Sequence, residues 1–371
     1  LKTSIREPYG FYRRLTGMKS DEKINAGFLS ERKKPGMAEK LSIWIRGNFF
    51  IPDARRFWIG PSVKYLSRYL KENPVQAVIS TGPPHSMHMI AKGIKKNTGI
   101  PWLADFRDPW TGIDFYDQLR LSALADRTHK RMEREVLITA DRVVTVSYHW
   151  AEDMKQLCSR HIDVVTNGFD PDDFPVNTPE PDAKFSITHI GSLNKDRNPL
   201  FLWKSLKEMC SENQGFAGDL EIKFIGKTDV NVIDDLEKHG LIPYLVNVPY
   251  LPHDEVLDMT MRSRVLLLPV NQTPNMLGII PGKIFEYMAA RRPILCIAPP
   301  EGDSAAIIRE AQAGCVVAFD DTEGLKSALR GFYNGYRQGI KGTLTGNIDH
   351  FSRKKLAGNI AGILDEMISP Q

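Results

Sequence analysis

Asn275-Met-Leu-Gly-Ile-Ile-Pro-Gly-Lys-Ile-Phe-Glu-Tyr-Met-Ala-Ala-Arg-Arg-Pro-Ile-Leu295 is the stretch on which the reading of this chain turns. An apolar strand at residues 265–269 precedes it, and a second strand is expected at 293–297. Between them lies a loop with Pro281 and Gly282, then a helix over 282–290. That order makes a βαβ unit with glycine where the loop turns into the helix. Peptide N–H groups at a helix start lack intrahelical partners and carry partial positive charge, which suits a phosphate. Lys283 adds a full charge, and Glu286, one turn on, can accept hydrogen bonds from ribose hydroxyls. One glycine and one lysine make a weak motif, and a plain helix start with an exposed Lys and Glu is the simpler local reading.

The same alternation extends outward in both directions. In the second half, strands are expected at 186–190, 221–225, 246–248, 265–269, 294–297 and 315–318. Helices fall between them at 200–210, 231–239, 254–262, 282–290, 304–311 and 323–333. In the first half the expected strands are 77–81, 102–104, 142–147 and 163–168, with helices at 61–71, up to 97, and 119–138. Helical patches are expected at 11–15 and 38–46, with a loop through 31–36. Alternating strands and helices imply α/β architecture with mostly parallel sheets. Pro171, Pro175, Pro179 and Pro181 crowd one stretch, which reads as a linker at 171–182. It separates a first domain, 1–170, from a second, 183–350, and a closing helix within 351–371 is expected to pack back on the first.

With 371 residues the chain can build two cores. Its 42% hydrophobic and 25% charged content is that of an ordinary globular protein. No apolar run approaches the roughly 20 residues of a membrane span, and the first residues form no signal peptide. Four scattered cysteines (Cys158, Cys210, Cys296 and Cys315) match neither a metal site nor a disulfide framework, so reduced thiols and a cytoplasmic setting are expected. Charge is unevenly placed: residues 1–60 carry 13 Lys/Arg against 6 Asp/Glu. Trp44, Phe49, Phe50, Phe57 and Trp58 interleave with that charge, as on a surface that meets anionic lipid headgroups. A solvated basic face with its aromatics turned inward is the equal alternative, and no recognition motif supports nucleic acid.

Ligands of open α/β sheets bind beyond the carboxyl ends of the strands, so the loops there supply the candidates. Gly191-Ser-Leu-Asn-Lys-Asp-Arg-Asn-Pro199 offers Gly191 and Ser192 for close backbone approach, and Lys195 and Arg197 for a diphosphate. Gly226-Lys227 repeats glycine and cation at the next strand's end. In the first half, His85 follows Gly82-Pro-Pro, where an imidazole can bond a sugar hydroxyl or a phosphate. Asp105-Phe-Arg-Asp-Pro-Trp110 sets Asp105 and Asp108 around Arg107, with Trp110 to stack on a sugar face. For each, a surface charge, a structural histidine or a loop-stiffening ion pair is the plain alternative. Walker-type loops, Gly-x-Gly-x-x-Gly after a strand and Gly-x-Ser-x-Gly elbows are absent from the sequence. Asp170-Pro-Asp172 is formally Asp-x-Asp, but its place in the turn after Asn167-Gly168 argues against a metal.

Taken in order, the motifs resemble the retaining glycosyltransferases of family 4. They are Ser80-Thr-Gly-Pro-Pro-His-Ser86, Ala104-Asp-Phe-Arg-Asp-Pro-Trp110, Thr145-Val-Ser147, Thr166-Asn-Gly-Phe-Asp170, the 191–199 loop and residues 281–290. The resemblance implies a GT-B fold, two facing Rossmann-like domains with a cleft between them. It further implies a nucleotide-diphosphate sugar, of UDP or GDP type, bound mainly by the second domain, and an acceptor bound by the first. The acceptor expected is a saccharide or lipid-linked carrier of bacterial surface-polysaccharide synthesis, reached from the inner face of the plasma membrane. Neither cofactor nor metal is implied: Arg197, Lys283 and peptide N–H groups near Gly282 would offset charge on the leaving diphosphate, and Glu286 would hold the ribose. Asp105 and Asp108 would be the catalytic candidates opposite them, with His85, Arg107 and Trp110 on the acceptor.

Two departures stand out. The family commonly has a second glutamate spacing of Glu, seven residues, Glu; Glu286 fits the later position, but the earlier falls on Gly278. Asn275, or main-chain groups from Gly278 through Pro281 to Gly282, is expected to serve instead. The first domain also shows no opening strand before the one that ends at Gly82. These departures leave open a non-catalytic nucleotide-sugar-binding protein and a GT-B sugar-nucleotide epimerase.

Overall fold

A computed structural model describes residues 37–175, 179–340 and 346–369. The expected helical patch at 11–15, the loop at 31–36 and part of the linker lie outside these residues. The chain divides into two compact units. Among the described residues the first holds 37–166 with the end of the chain from 357, and the second holds 167–356. The division falls after Thr166, and the residues just beyond it, with Phe169 buried, already belong to the second core.

The first unit is a four-stranded parallel sheet in the order β1 (Val78–Gly82), β2 (Trp102–Phe106), β3 (Arg142–Thr145) and β4 (Asp163–Val164). Around it run α1 (Met37–Phe49), α2 (Ile59–Glu72), α3 (Ser86–Thr98), α4 (Ala123–Thr139) and α5 (Tyr148–Cys158). The helix α5 is absent from the sequence reading, because Ser147 caps it immediately after a strand that was read as running to that residue. Trp102, Phe106, Val136, Leu137 and Met154 form the core between sheet and helices. Strand order follows chain order, so this sheet has no reversal among its described strands.

The second unit is a six-stranded parallel sheet in the order β10-β9-β8-β5-β6-β7. Its strands are β5 (Phe185–Ile190), β6 (Leu220–Ile225), β7 (Leu245–Val248), β8 (Val265–Pro269), β9 (Ile294–Ile297) and β10 (Gly314–Val317). The connecting helices are α6 (Leu200–Glu212), α7 (Gln214–Asp219), α8 (Val230–Lys238), α9 (His253–Arg262), α10 (Lys283–Ala289), α11 (Asp303–Glu310) and α12 (Thr322–Arg337). The closing helix α13 (Arg353–Ile368) starts in this unit and ends in the first, where Glu366 meets Arg142 at 3.0 Å.

Helices cover both faces of the second sheet, so β8 and β9 are continuously apolar. Leu266 and Leu268 of β8 pack with Ile284, Phe285 and Met288 of α10 on one face. Val265 and Leu267 pack with Leu202, Trp203, Leu325 and Leu329 on the other. Building begins with β5, moves outward through β6 and β7, then returns to its other side with β8 to β10. The reversal between β5 and β8 leaves a crevice at their carboxyl ends, where open α/β sheets bind ligands. Both units are therefore Rossmann-like α/β layers, as the alternation of elements led us to expect.

Candidate active site

Gly191 ends β5 with φ +87°, and Gly226 ends β6 with φ +118°. Side chains rarely adopt those angles, and a Cβ at Gly226 would meet the Gly191 carbonyl oxygen at 3.0 Å. The two loops are therefore held backbone to backbone. Leu193 N–H donates to Lys227 O at 3.0 Å, and Gln272 N–H donates to Asp196 O at 3.1 Å, which ties in the loop after β8. The switch-point rim is thus one connected set of main chain.

Lys283, the first residue of α10, extends back over this rim. Its ammonium donates to the Ile190 carbonyl and lies 3.3 Å from His189 Nε2. A Cβ on Gly191 would sit 3.4 Å from it. Burial, and then the charge of Arg197, lower the Lys283 pKa to about 7, while Glu286 acts in the opposite direction. Arg197 ends a short 3-10 turn capped by Asn194, whose side chain accepts from the Arg197 N–H at 3.1 Å. Its Nε–H donates to the buried Asn271 Oδ1 at 2.5 Å, which aims the guanidinium. So Gly191, Arg197, Lys283 and Glu286 come together, while Ser192, Lys195 and Lys227 are exposed around them.

Gly282 has ordinary helical angles (φ −54°, ψ −30°), and nothing lies within 4 Å of where its Cβ would be. Its value is open space above the helix start rather than conformational freedom. Gly278 is buried in a 3-10 turn, its N–H donates to Asn275 O at 3.2 Å, and the Ile279 N–H donates to Met276 O at 3.3 Å. Those two N–H groups are engaged within the turn, and of the other expected stand-ins Gly282 is exposed while Asn275 and Pro281 are half-buried.

In the first unit, Thr81 at the end of β1 donates its hydroxyl to Asp105 Oδ2 at 2.5 Å, and Arg107 Nη1 is 3.8 Å from Oδ1. Burial raises the Asp105 pKa, opposed by the Thr81 hydrogen bond and Arg107. Asp108 is raised by burial and by the nearby Asp114 charge, against Arg107. Asp105, Arg107 and Asp108 therefore form one partly buried cluster. Trp110 departs from expectation: it is 3% exposed, stacked on His85 at 4.5 Å with planes 3° apart, and its Nε1–H donates to His129 Nδ1 at 3.0 Å. Its face is covered by an imidazole, so it cannot stack on a sugar. His85 is itself buried, and burial with His88 and His129 nearby holds its pKa well below the usual value, so the ring is neutral.

Sequence reading missed His189, Asn271 and two buried residues of α4, His129, which accepts from Trp110, and Glu133, which accepts from Thr111. The signal was available for the first: Ser186, Thr188 and His189 are polar residues within a strand that both layers bury completely. Each has a partner, the Thr188 hydroxyl accepting from Ser263 Oγ at 2.8 Å and Ser186 Oγ accepting from the Arg264 N–H at 2.9 Å.

Comparison with known proteins identifies the family and the fold. The family model described as Glycosyltransferase Family 4 matches residues 28–173, and that described as Glycosyl transferases group 1 matches 184–334. The chain belongs to the group 1 glycosyltransferases of GT-B fold. Among solved structures, it is similar to the lipopolysaccharide outer core galactosyltransferase WaaB, at 16% identity and TM-score 0.56, covering 84% of this chain and 80% of that one. Sucrose-phosphate synthase from Thermosynechococcus elongatus is 13% identical with TM-score 0.57, covering 83% and 78%. The UDP-forming trehalose-phosphate synthase of Burkholderia xenovorans is 10% identical with TM-score 0.55, covering 84% and 79%. Comparison with curated proteins finds no match. As a group 1 glycosyltransferase, the chain is an enzyme that moves a sugar between molecules.

Proposed function

We propose that this glycosyltransferase takes a sugar from a nucleoside diphosphate sugar, with retention of configuration, and passes it to a saccharide or lipid-linked acceptor in polysaccharide synthesis. The observation that carries the reading is the Lys283 ammonium over Gly191 at the β5/β8 switch point, with the Arg197 charge close enough to act on it. Two cations beside this main-chain rim suit a diphosphate whose negative charge grows as the sugar departs. Glu286 takes the ribose, and Asp105 with Asp108 supplies carboxylates toward the acceptor. UDP is the favoured nucleotide, since the similar trehalose-phosphate synthase is described as UDP-forming. A thermal-shift panel of UDP, GDP and their sugars tests the donor. Free ligand at about 1,000 times its Kd stabilises by about 4 kcal/mol, and no shift with any of them overturns the donor assignment.

The membrane contact falls on the described end of residues 1–60. Among the described residues, no helix is long and apolar enough to cross a membrane. Trp44, Phe49 and Phe57 are 39%, 59% and 52% exposed rather than turned inward, which favours the lipid-facing alternative. Arg46, Arg55 and Arg56 stand among them, and Tyr65 and Tyr69 stack on the exposed side of α2. Aromatic rings with interleaved cations fit the headgroup layer of an anionic bilayer at the cytoplasmic face. Salt-sensitive co-sedimentation with vesicles containing anionic lipid is expected, and equal binding to neutral vesicles would count against it.

A further inference from the structure

Histidine is an unusual residue to find fully buried in the central strand of a parallel sheet, two positions before the glycine that opens the ligand loop. His189 occupies that place, with no solvent exposure. Its two ring nitrogens meet different groups. Nδ1 lies 3.1 Å from the Leu267 carbonyl oxygen of β8. Nε2 lies 3.3 Å from the Lys283 ammonium and 3.5 Å from the Ser192 carbonyl oxygen. Both carbonyls only accept, and the shorter contact, to Leu267, puts the ring proton on Nδ1. Nε2 then presents a lone pair, and the ammonium is the one donor beside it.

We propose that His189 is the positioning residue of Lys283: its Nε2 lone pair and the Ile190 carbonyl together hold the ammonium above Gly191. The inference rests on reading Lys283 and Arg197 as the diphosphate site. Both acceptors are neutral, which sets them apart from the carboxylate that usually accompanies a buried lysine. A carboxylate would compete with an anionic ligand for the ammonium; an imidazole and a carbonyl orient it and leave its charge available. Burial, with the neighbouring Lys283 charge, keeps the His189 pKa well below its ordinary value, in accord with the neutral ring. The charged and titratable groups around Lys283 are Arg197 from the 3-10 turn, Glu286 and Tyr287 from α10, and His189 from β5. Tyr287 is directed elsewhere, its hydroxyl accepting from the Ile190 N–H at 3.0 Å.

The test follows acylation of Lys283 by acetic anhydride as a function of pH, read on its own peptide by mass spectrometry in the full chain. Only the unprotonated amine reacts, so the rate reports the protonation midpoint, about 7 in wild type. His189→Phe and His189→Met fill the ring's volume without an acceptor, and thermal melts establish that at least one folds. Removing an acceptor from an ammonium favours its neutral form, so the midpoint moves to lower pH and Lys283 reacts about five-fold faster at pH 6. His189→Gln, which returns an acceptor oxygen near the Nε2 position, restores the wild-type midpoint. An unchanged or higher midpoint in the folded apolar variants overturns the inference, because a core-filling histidine would change the melt alone. The same reactions with added UDP or GDP test the underlying reading separately: without protection of wild-type Lys283, the diphosphate site fails whatever the midpoints show.

Discussion

Gly191 lies directly beneath the ammonium of Lys283: a Cβ built there would stand 3.4 Å from Nζ, at a backbone φ of +87°. The rim of β5 and the first residue of α10 are thereby in contact, and the positive φ, rather than lack of space, disfavours a side chain at position 191.

Gly191→Ala follows from that relationship. A left-handed angle costs a non-glycine residue about 1–2 kcal/mol, and the new methyl would lie in contact with the Lys283 ammonium. The variant is expected to melt at lower temperature and also to bind UDP or GDP more weakly. Thermal melts with calorimetric titration check both, and unchanged nucleotide affinity would separate Gly191 from the ligand.

Lys283 carries a pH dependence whose sign is fixed by its lowered pKa. Its ordinary value of 10.5 falls to about 7 in the folded chain. Between those values the unfolded chain holds a proton that the unliganded folded chain does not. The contribution of Lys283 to stability therefore rises with pH across that window and is least favourable below pH 7. A diphosphate reverses the preference, because the ligand stabilises the ammonium. Nucleotide binding at pH 8 is expected to take up a proton, measured as the dependence of binding enthalpy on buffer ionisation. Lys283→Met should abolish the uptake.

Asp105 gives the corresponding test in the first unit. The Thr81 hydroxyl favours the ionised carboxylate, against the burial that raises its pKa. In Thr81→Val the carboxyl is expected to hold its proton to higher pH, so the acid limb of kcat/KM moves upward. An unmoved limb would mean that Asp105 ionisation does not govern transfer.

Trp110 is expected to act on stability rather than on the acceptor. Deleting a buried Trp costs about 3–5 kcal/mol, and here it also unstacks His85 and strands His129. Trp110→Phe retains the stack and is expected to lower the melting temperature with acceptor KM unchanged. A large rise in acceptor KM in the folded variant would return Trp110 to the ligand.

The elements themselves were legible because strands and helices alternate, and because β8 and β9, buried on both faces, read as continuous apolar runs. Lys283 and Glu286 were legible as types at a spacing, and Gly191 as a glycine at a strand's end. What the residues could not give was strand order. The β5/β8 reversal depends on which strands pair, and it is what gathers the 191–199 loop, Asn271 and Lys283. Trp110 was misread because aromatic character is the same at a surface and in a core. Burial by His85, from a different loop, is a tertiary fact. Gly278 was legible as a missing carboxylate, but the local turn that engages its N–H was not.

The most direct measurement is transfer of radiolabelled sugar from a panel of UDP- and GDP-sugars to a membrane-lipid extract, by wild type and by Lys283→Met. Labelled product is expected from wild type with at least one donor. Loss of a charge-assisted contact worth about 1.5–3 kcal/mol should slow the variant about ten- to hundred-fold. Donor binding without transfer by wild type across the whole panel, or equal rates for the two proteins, would contradict it.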